Sequence, residues 1–222
     1  MRQDDYVLSY VRPPIDAPAM RDADGQVIVY GNRWGGQSPP EETYSVDPHP
    51  ERFAPLHTVA DALIEYLGGT YDVQVLESEE ASADLLRPRP DAVRAVRIQP
   101  NGPDCAALTF VFTTYPGIAM HAGLLHDFHY PVCGCDACDS NWNFEADDLE
   151  RTVLAIVTGH YREGIEGERR PWVVFALAYP EGEQSGRFLA SNSVADRLQS
   201  AAPILRSLSH GWAAWPLANQ DA

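Results

Sequence analysis

Apolar side chains recur at three- and four-residue steps in three parts of the chain, which is the spacing of one buried helical face. The first predicted helix spans residues 50–67, and Gly68-Gly69 is expected to end it. A second helix is predicted over residues 144–163 with Asn143 as its N-cap, and a third over residues 193–209. The buried stripe of the first helix comprises Phe53, Leu56, Ala60, Leu63 and Leu67. The stripe of the second comprises Leu149, Val153, Ile156, Val157 and His160.

Alternating apolar and polar residues, bounded by Gly, Pro and Asp, predict β-strands in the intervening segments. Single strands are expected at residues 26–30, 71–76 and 92–99. Hairpins are expected from 107–114 with 117–125, and from 172–179 with 185–190. Because strands and helices do not alternate regularly, the order predicts an α+β fold, a mostly antiparallel sheet with two to three packed helices.

The first hairpin has a definite predicted register. A three-residue loop, Tyr115-Pro116-Gly117, with glycine in the left-handed conformation, separates core positions from polar ones better than a two-residue loop. It places His121 on the face turned away from the core. If strand geometry continues without a bulge, Asp127 and His129 share that face by alternation.

Length and composition predict one folded unit. The chain has 222 residues, of which 45% are hydrophobic, so we expect a single domain over residues 1–222 with an irregular Gly/Pro-rich arm at about 31–50. The N-terminus has acidic residues where a signal peptide would have a basic region and then an apolar run. We therefore expect a cytoplasmic protein with reduced thiols.

The charge is strongly negative, with 32 Asp and Glu against 16 basic residues, all of them arginine, and a formal net charge of −16. Such a balance argues against nucleic acid and membrane surfaces as partners, because both are bound through clustered cations. It would suit a basic protein partner, as in an immunity-like protein, although a high negative charge also serves solubility alone. The oligomeric state is left open.

The stretch from His121 to Cys138 contains three of the four cysteines and three of the seven histidines. Thiolates and imidazoles are the ligands of tetrahedral zinc, so the stretch predicts a structural zinc site. The predicted ligands are Cys133, Cys135, Cys138 and His129. Alternatives for the fourth ligand are His126, His121 and Cys105, and the alternatives to metal are free thiols or redox chemistry.

No catalytic motif accompanies these ligands, so an enzyme is not the leading expectation. The zinc nucleobase deaminases require His-x-Glu, whereas Gly123 stands where the glutamate would be. Around Cys135-x2-Cys138 the acids Asp136 and Asp139 oppose the stabilised thiolate that redox catalysis requires. An enzyme using a zinc or thiolate site in the 121–138 loop remains an alternative.

Three segments together resemble an uncharacterised actinobacterial family of unknown function. They are YGNRWGG at residues 30–36, PERFAPLHTVADAL at 50–63 and YPVCGCDACD at 130–139. The resemblance implies a bacterial cytosolic protein. It implies no activity, and no functional residues are carried over from it.

Overall fold

A computed structural model describes residues 10–167, 170–190 and 195–219. Three α-helices and eight strands are present in this part of the chain. In order they are α1 Pro55–Thr70, β1 Val73–Glu77, β2 Ala92–Pro100, β3 Leu108–Thr113, β4 Ile118–Ala122, β5 His126–Tyr130, α2 Trp142–Val157, β6 Tyr161–Glu166, β7 Trp172–Tyr179, β8 Gly182–Leu189 and α3 Ala195–Ser207.

The strands form two antiparallel sheets. One has five strands in the order β1-β2-β3-β4-β5, and the other has three in the order β6-β7-β8. The predicted α+β class is confirmed. Among the described residues, no helix is long and apolar enough to cross a membrane.

The first predicted helix is confirmed, with corrected ends. A 3-10 turn, Pro50–Phe53, precedes α1, and the helix continues through Gly68-Gly69 to Thr70. The predicted stop at the glycines is therefore wrong, because neither adopts a left-handed conformation and both remain helical. Every member of the predicted stripe is completely buried: Phe53, Leu56, Ala60, Leu63 and Leu67.

The first hairpin has the predicted faces but a different loop. Phe112 pairs with Ile118 and the amide of Thr113 donates to the carbonyl of Gly117, so the loop begins one residue earlier than predicted. Gly117 is a glycine for a different reason from the predicted left-handed turn. A Cβ there would lie 2.7 Å from the carbonyl oxygen of Tyr130 on β5.

The strand predicted to run to residue 125 ends at Ala122 instead. The chain reverses through Gly123, which has a φ of +66°, and β5 pairs antiparallel with β4. His121 then lies opposite Asp127 and Ala119 opposite His129. Asp127 and His129 share the face of His121, as predicted. The reason differs, since they stand on the neighbouring strand β5 and not on a continuation of β4.

The second helix is shorter than predicted at its C-terminal end. Asn141, not Asn143, is the N-cap, since its side chain accepts a hydrogen bond from the amide of Phe144. The helix ends at Val157 in a Schellman motif, with Gly159 left-handed and the amide of His160 donating to the carbonyl of Ala155. His160 is thus an exposed residue after the helix and not part of its stripe.

The segment predicted as the end of that helix forms β6, which the sequence analysis missed. The strands of the second predicted hairpin pair as expected, but β8 begins at Gly182, which leaves a loop of Pro180-Glu181. Helix α3 lies within the predicted range, and the start predicted at residues 193–194 falls outside the described residues. The strand predicted at 26–30 is reduced to an isolated bridge between Arg21 and Val27.

One large hydrophobic cluster joins both sheets and all three helices. It contains the inner face of the five-stranded sheet, the stripes of α1 and α2, and Trp212 and Trp215 from the C-terminal segment. A smaller cluster covers part of the opposite sheet face beneath a 3-10 helix, Glu79–Asp84. Cys133, Cys135 and Cys138 lie in the segment between β5 and α2, and His129 lies on β5 itself.

Candidate metal centre

The three thiols of the cysteine loop converge. After the cis peptide bond between Tyr130 and Pro131, the chain leaves β5 and a short 3-10 helix, Asp136–Cys138, brings it back towards α2. The sulfur of Cys135 lies 3.4 Å from that of Cys133 and 3.4 Å from that of Cys138. All three cysteines are free thiols, and their sulfurs lie within 4.8 Å of one another.

These spacings suit one metal ion. A tetrahedral zinc ion with bonds of about 2.3 Å to sulfur would hold its sulfur ligands about 3.8 Å apart, within the range observed here. A polynuclear iron–sulfur cluster distributes its thiolates over several iron atoms, which such closely spaced sulfurs do not favour. In the described part of the chain, this group of thiols is the one cluster of three or more Cys, His, Asp or Glu side chains close enough to hold an ion.

Cys135 is the central sulfur and the most acidic of the shifted thiols. Partial burial opposes its ionisation, but hydrogen bonds from the thiols of Cys138 and Cys133 outweigh it and lower the pKa of Cys135 to about 7. Hydrogen bonds to Cys133 and Cys135 raise the pKa of Cys138 to about 12. Cys135 therefore forms a thiolate readily, whereas ionisation of Cys138 requires a cation that offsets the added charge.

Gly134 is required by a close neighbour. A Cβ at this position would lie 1.7 Å from the hydroxyl oxygen of Tyr115 and 2.8 Å from its Cζ atom. The ring of Tyr115 reaches the loop from the β3–β4 turn, so the loop can fold over it only where a side chain is missing. The absence of a side chain at Gly134 thus makes room for this ring.

The Gly/Pro-rich arm at residues 31–50 is fastened to the cysteine loop by Arg33. Its Nε donates to the carboxylate of Asp139 at 2.5 Å, and its backbone amide donates to the other oxygen at 2.7 Å. The guanidinium also donates to the backbone carbonyl of Asp136 at 2.6 Å and pairs with its carboxylate at 2.9 Å. Trp34 adds a bond from its indole N–H to the carbonyl of Ala137 at 3.1 Å.

A second arginine, Arg52, also binds the cysteine loop, and it is only 4% exposed. Its guanidinium donates to the backbone carbonyls of Gly134 at 2.6 Å and of Ser140 at 3.2 Å, one on each side of the 3-10 helix. It also donates to the carbonyl of His49 at 2.8 Å. Tyr30 lies between the two arginines, with its ring centroid 4.2 Å from Arg33 Cζ and 4.3 Å from Arg52 Cζ.

The histidine predicted as fourth ligand lies outside the group of converging thiols. His129 is an exposed residue on β5, opposite Ala119, and is not among the ligand atoms that lie within 4.8 Å of one another. Desolvation lowers the pKa of His129; the carboxylate of Asp127 opposes this shift, while the guanidinium groups of Arg89 and Arg87 add to it, so the neutral imidazole is favoured. A neutral imidazole is the form that binds metal.

The three alternative ligands have other contacts. His121 Nδ1 bonds to the carboxylate of Asp127 at 2.7 Å. The ring of His126 stacks on Phe175 with centroids 3.8 Å apart. Cys105 is buried, and its thiol donates to the carbonyl of Ala214 at 3.3 Å.

The residues that position the loop were not singled out from the sequence. Arg33 and Arg52 stand in the segments YGNRWGG and PERF, which were quoted above for a family resemblance and not for a role. The sequence feature that could have indicated these contacts is charge complementarity. Each of these segments contains an arginine, and Asp136 and Asp139 flank Cys138. In the structure these segments meet the cysteine loop at one place.

A family model described as "Family of unknown function (DUF6226)" matches residues 16–219. Comparison with curated proteins and with solved structures gives no match. The matched range includes the arm, both arginines and the cysteine loop, which is most of the chain. The chain therefore belongs to this family of unknown function.

Proposed function

We propose that Cys133, Cys135 and Cys138 bind one zinc ion and that its role is structural. The observation that carries the proposal is the convergence of three sulfurs at the spacing of a single tetrahedral ion. The ion would lock the loop against which Arg33 and Arg52 hold the arm. In this proposal the metal stabilises the loop and takes no part in a reaction.

His129 is our proposed fourth ligand. It precedes Cys133 by four residues, and the neutrality of its ring supports metal binding. It would have to approach the sulfurs from its position on β5. A water molecule is the alternative ligand, and it would leave an open coordination position of the kind found at catalytic zinc sites.

The test is the metal content of the purified full-length chain. We expect close to one zinc per chain, with the thiols of the loop unreactive until a chelator removes the metal. Cys135→Ser should lose zinc, whereas Cys105→Ser, a matched cysteine outside the cluster, should retain it. His129→Ala should bind cobalt with an altered visible spectrum if the imidazole is a ligand, and with an unchanged one if water is.

Substoichiometric zinc, with the loop thiols titrating freely before chelation, would exclude the proposal. Equal zinc contents in the Cys135→Ser and wild-type proteins would do the same. Both results would leave the second candidate function, thiol chemistry.

Thiol chemistry is favoured by one specific observation, the pKa of about 7 at Cys135 in an accessible loop. As an enzyme, the protein would use the thiolate of Cys135 as the nucleophile, with Cys133 or Cys138 able to form a disulfide with it. Reversible formation of one disulfide per chain under mild oxidation, in protein that does not bind zinc, would support this alternative.

We further propose that the whole chain forms one domain that acts in the cytoplasm. The hydrophobic cluster shared by both sheets supports a single domain, and a reducing compartment suits unpaired thiols. The charge of −16 supports a basic protein partner and disfavours nucleic acid. Capture of a basic partner that is released at high salt would test this part.

A further inference from the structure

The outer face of the five-stranded sheet carries two neighbouring rows of side chains with opposite character. One row is apolar from β2 to β4, where Ala81 and Leu85 cover it; it consists of Ala95, Val111 and Ala119, and His129 continues it on β5. The next row crosses four strands at one level and is polar throughout; it consists of Arg97, Thr109, His121 and Asp127. Thr109 and His121 are only 1% and 6% exposed. Buried polar side chains cost stability unless they are satisfied. The hydroxyl of Thr109 donates to the carboxylate of Asp84 at 2.5 Å, so the buried side chain of the row that remains to be explained is His121.

The histidine in the polar row is oriented by its neighbour. His121 Nδ1 and Asp127 Oδ1 are 2.7 Å apart, and the other oxygen of Asp127 accepts a bond from the amide of Leu86 at 2.8 Å. Because the carboxylate can only accept, the imidazole holds its proton on Nδ1. In the neutral ring Nε2 is then a hydrogen-bond acceptor, and no hydrogen bond joins it to another described residue.

A cavity of about 400 Å³ lies beside this row, between the sheet and α3. Leu124, Ala201 and Ile204 form an apolar side. At the polar side, His121 is accompanied by Arg97, whose side chain is 42% exposed and lies 3.4 Å from Asp84. Arg97 also donates to Gln99 Oε1 at 3.2 Å, so both of its contacts are long and it can exchange them for an anion.

The charges around the cavity limit what it can hold. Arg97 and Arg197 are balanced by the carboxylates of Asp84 and Asp196, and Arg197 is already engaged with the backbone carbonyls of Ala83 and Asp84. A ligand with two or more negative charges would be repelled by the two carboxylates, and only Arg97 would be available to offset that repulsion. A monoanion with a short carbon skeleton fits both the charge and the apolar side.

We propose that this cavity binds a small monocarboxylic acid that carries a hydroxyl group. The hydroxyl donates to His121 Nε2, the carboxylate accepts from Arg97, and the carbon chain packs against Leu124 and Ile204. This site is separate from the cysteine loop and does not depend on metal.

The test uses 2-hydroxybutyrate and butyrate, which differ in the one group that His121 would recognise. Binding to the full-length protein is followed by NMR of the histidine ring nitrogens. We expect 2-hydroxybutyrate to shift the Nε2 resonance of His121 and to bind roughly two- to tenfold more tightly than butyrate, the effect of one hydrogen bond. His121→Asn keeps a donor for Asp127 but removes the acceptor, so it should bind the two acids equally.

Two further variants complete the design. Arg97→Gln should weaken both acids to a similar extent, while His160→Asn, an exposed histidine after α2, should behave as the wild type. Equal affinity of the wild type for both acids, or an unshifted His121 ring, would overturn the proposal. Should His121→Asn fail to fold, the preference of the wild type and its response to Arg97→Gln still decide the matter.

Discussion

Replacing Arg52 with alanine tests whether the arm and the cysteine loop form one unit. The change removes the donor for three backbone carbonyls, those of Gly134, His49 and Ser140. A buried acceptor left without a donor costs about 1–3 kcal/mol, and the low end applies here because water can reach part of the loop. Loss of the contact with the Tyr30 ring adds about 1 kcal/mol. We expect Arg52→Ala to lower the free energy of unfolding by about 3–5 kcal/mol.

The measurement is urea unfolding of metal-free, reduced protein, so that zinc contributes nothing to the difference. Arg52→Lys keeps the charge but cannot donate in three directions from one plane, so about half of the loss is expected. Arg151→Ala is the matched control. Arg151 pairs with the carboxylate of Asp148 and lies over a tyrosine ring, as Arg52 pairs with the carboxylate of Asp47 at 3.3 Å and lies over Tyr30, but Arg151 is 43% exposed. It should cost less than about 1 kcal/mol.

Two results would refute the reasoning. Arg52→Ala could be as stable as Arg151→Ala, which would mean that water replaces Arg52 as the donor to the three carbonyls without loss of stability. Alternatively, Arg52→Lys could have the same free energy of unfolding as the wild type, which would mean that the positive charge of Arg52, and not its hydrogen bonds, stabilises the loop. Faster reaction of the loop thiols in Arg52→Ala, without a change in global stability, would instead show that the loop opens locally.

Alkylation of metal-free protein should begin at Cys135, because its pKa of about 7 gives a thiolate at neutral pH, while Cys138, with a pKa of about 12, stays protonated. Peptide mass spectrometry after brief iodoacetamide treatment checks this order, and earlier labelling of Cys138 would contradict it. Burial lowers the pKa of His126 to about 4, so the unfolded chain takes up its proton near pH 6.5 while the folded one does not. The wild type should therefore lose about 2 kcal/mol of stability at this residue between pH 7.5 and pH 5, and His126→Phe, which suits the surrounding rings, should not. Urea midpoints at the two pH values measure the difference, with His160→Asn as the exposed control.

The sequence predicts those parts of the fold that depend on local periodicity. The buried stripe of α1 is predicted correctly because its apolar residues recur with the helical period. The two faces of the β3–β4 hairpin are also correct, because a shift of the pairing by two residues leaves the same side chains on each face. The end of α2 was misjudged because Val157 and His160 continued an apolar spacing. The left-handed Gly159 between them was the stronger signal, and it ends the helix.

The candidate site could be predicted only in part. Three ligands within six residues are visible in the sequence, whereas their support is not, since Arg33 and Asp139 are 106 residues apart and Arg52 and Gly134 are 82 apart. Such contacts depend on how the arm folds back, and an irregular arm has no periodicity from which to infer it. The polar row beside α3 was hidden in the same way, because its members come from four strands.

The charges in the cysteine loop connect the proposed zinc to the arginine clamp. Three thiolates would join the carboxylates of Asp47, Asp136 and Asp139, and Arg33 and Arg52 offset only two of those charges. Without a divalent ion Cys138 therefore stays protonated, in agreement with its raised pKa. Because the arginines already hold the loop, zinc would not have to fold it, and its binding would chiefly displace protons. Zinc affinity should consequently fall steeply below neutral pH in the wild type, whereas in Arg52→Ala it should be weaker at every pH, since the ion must then also order the loop.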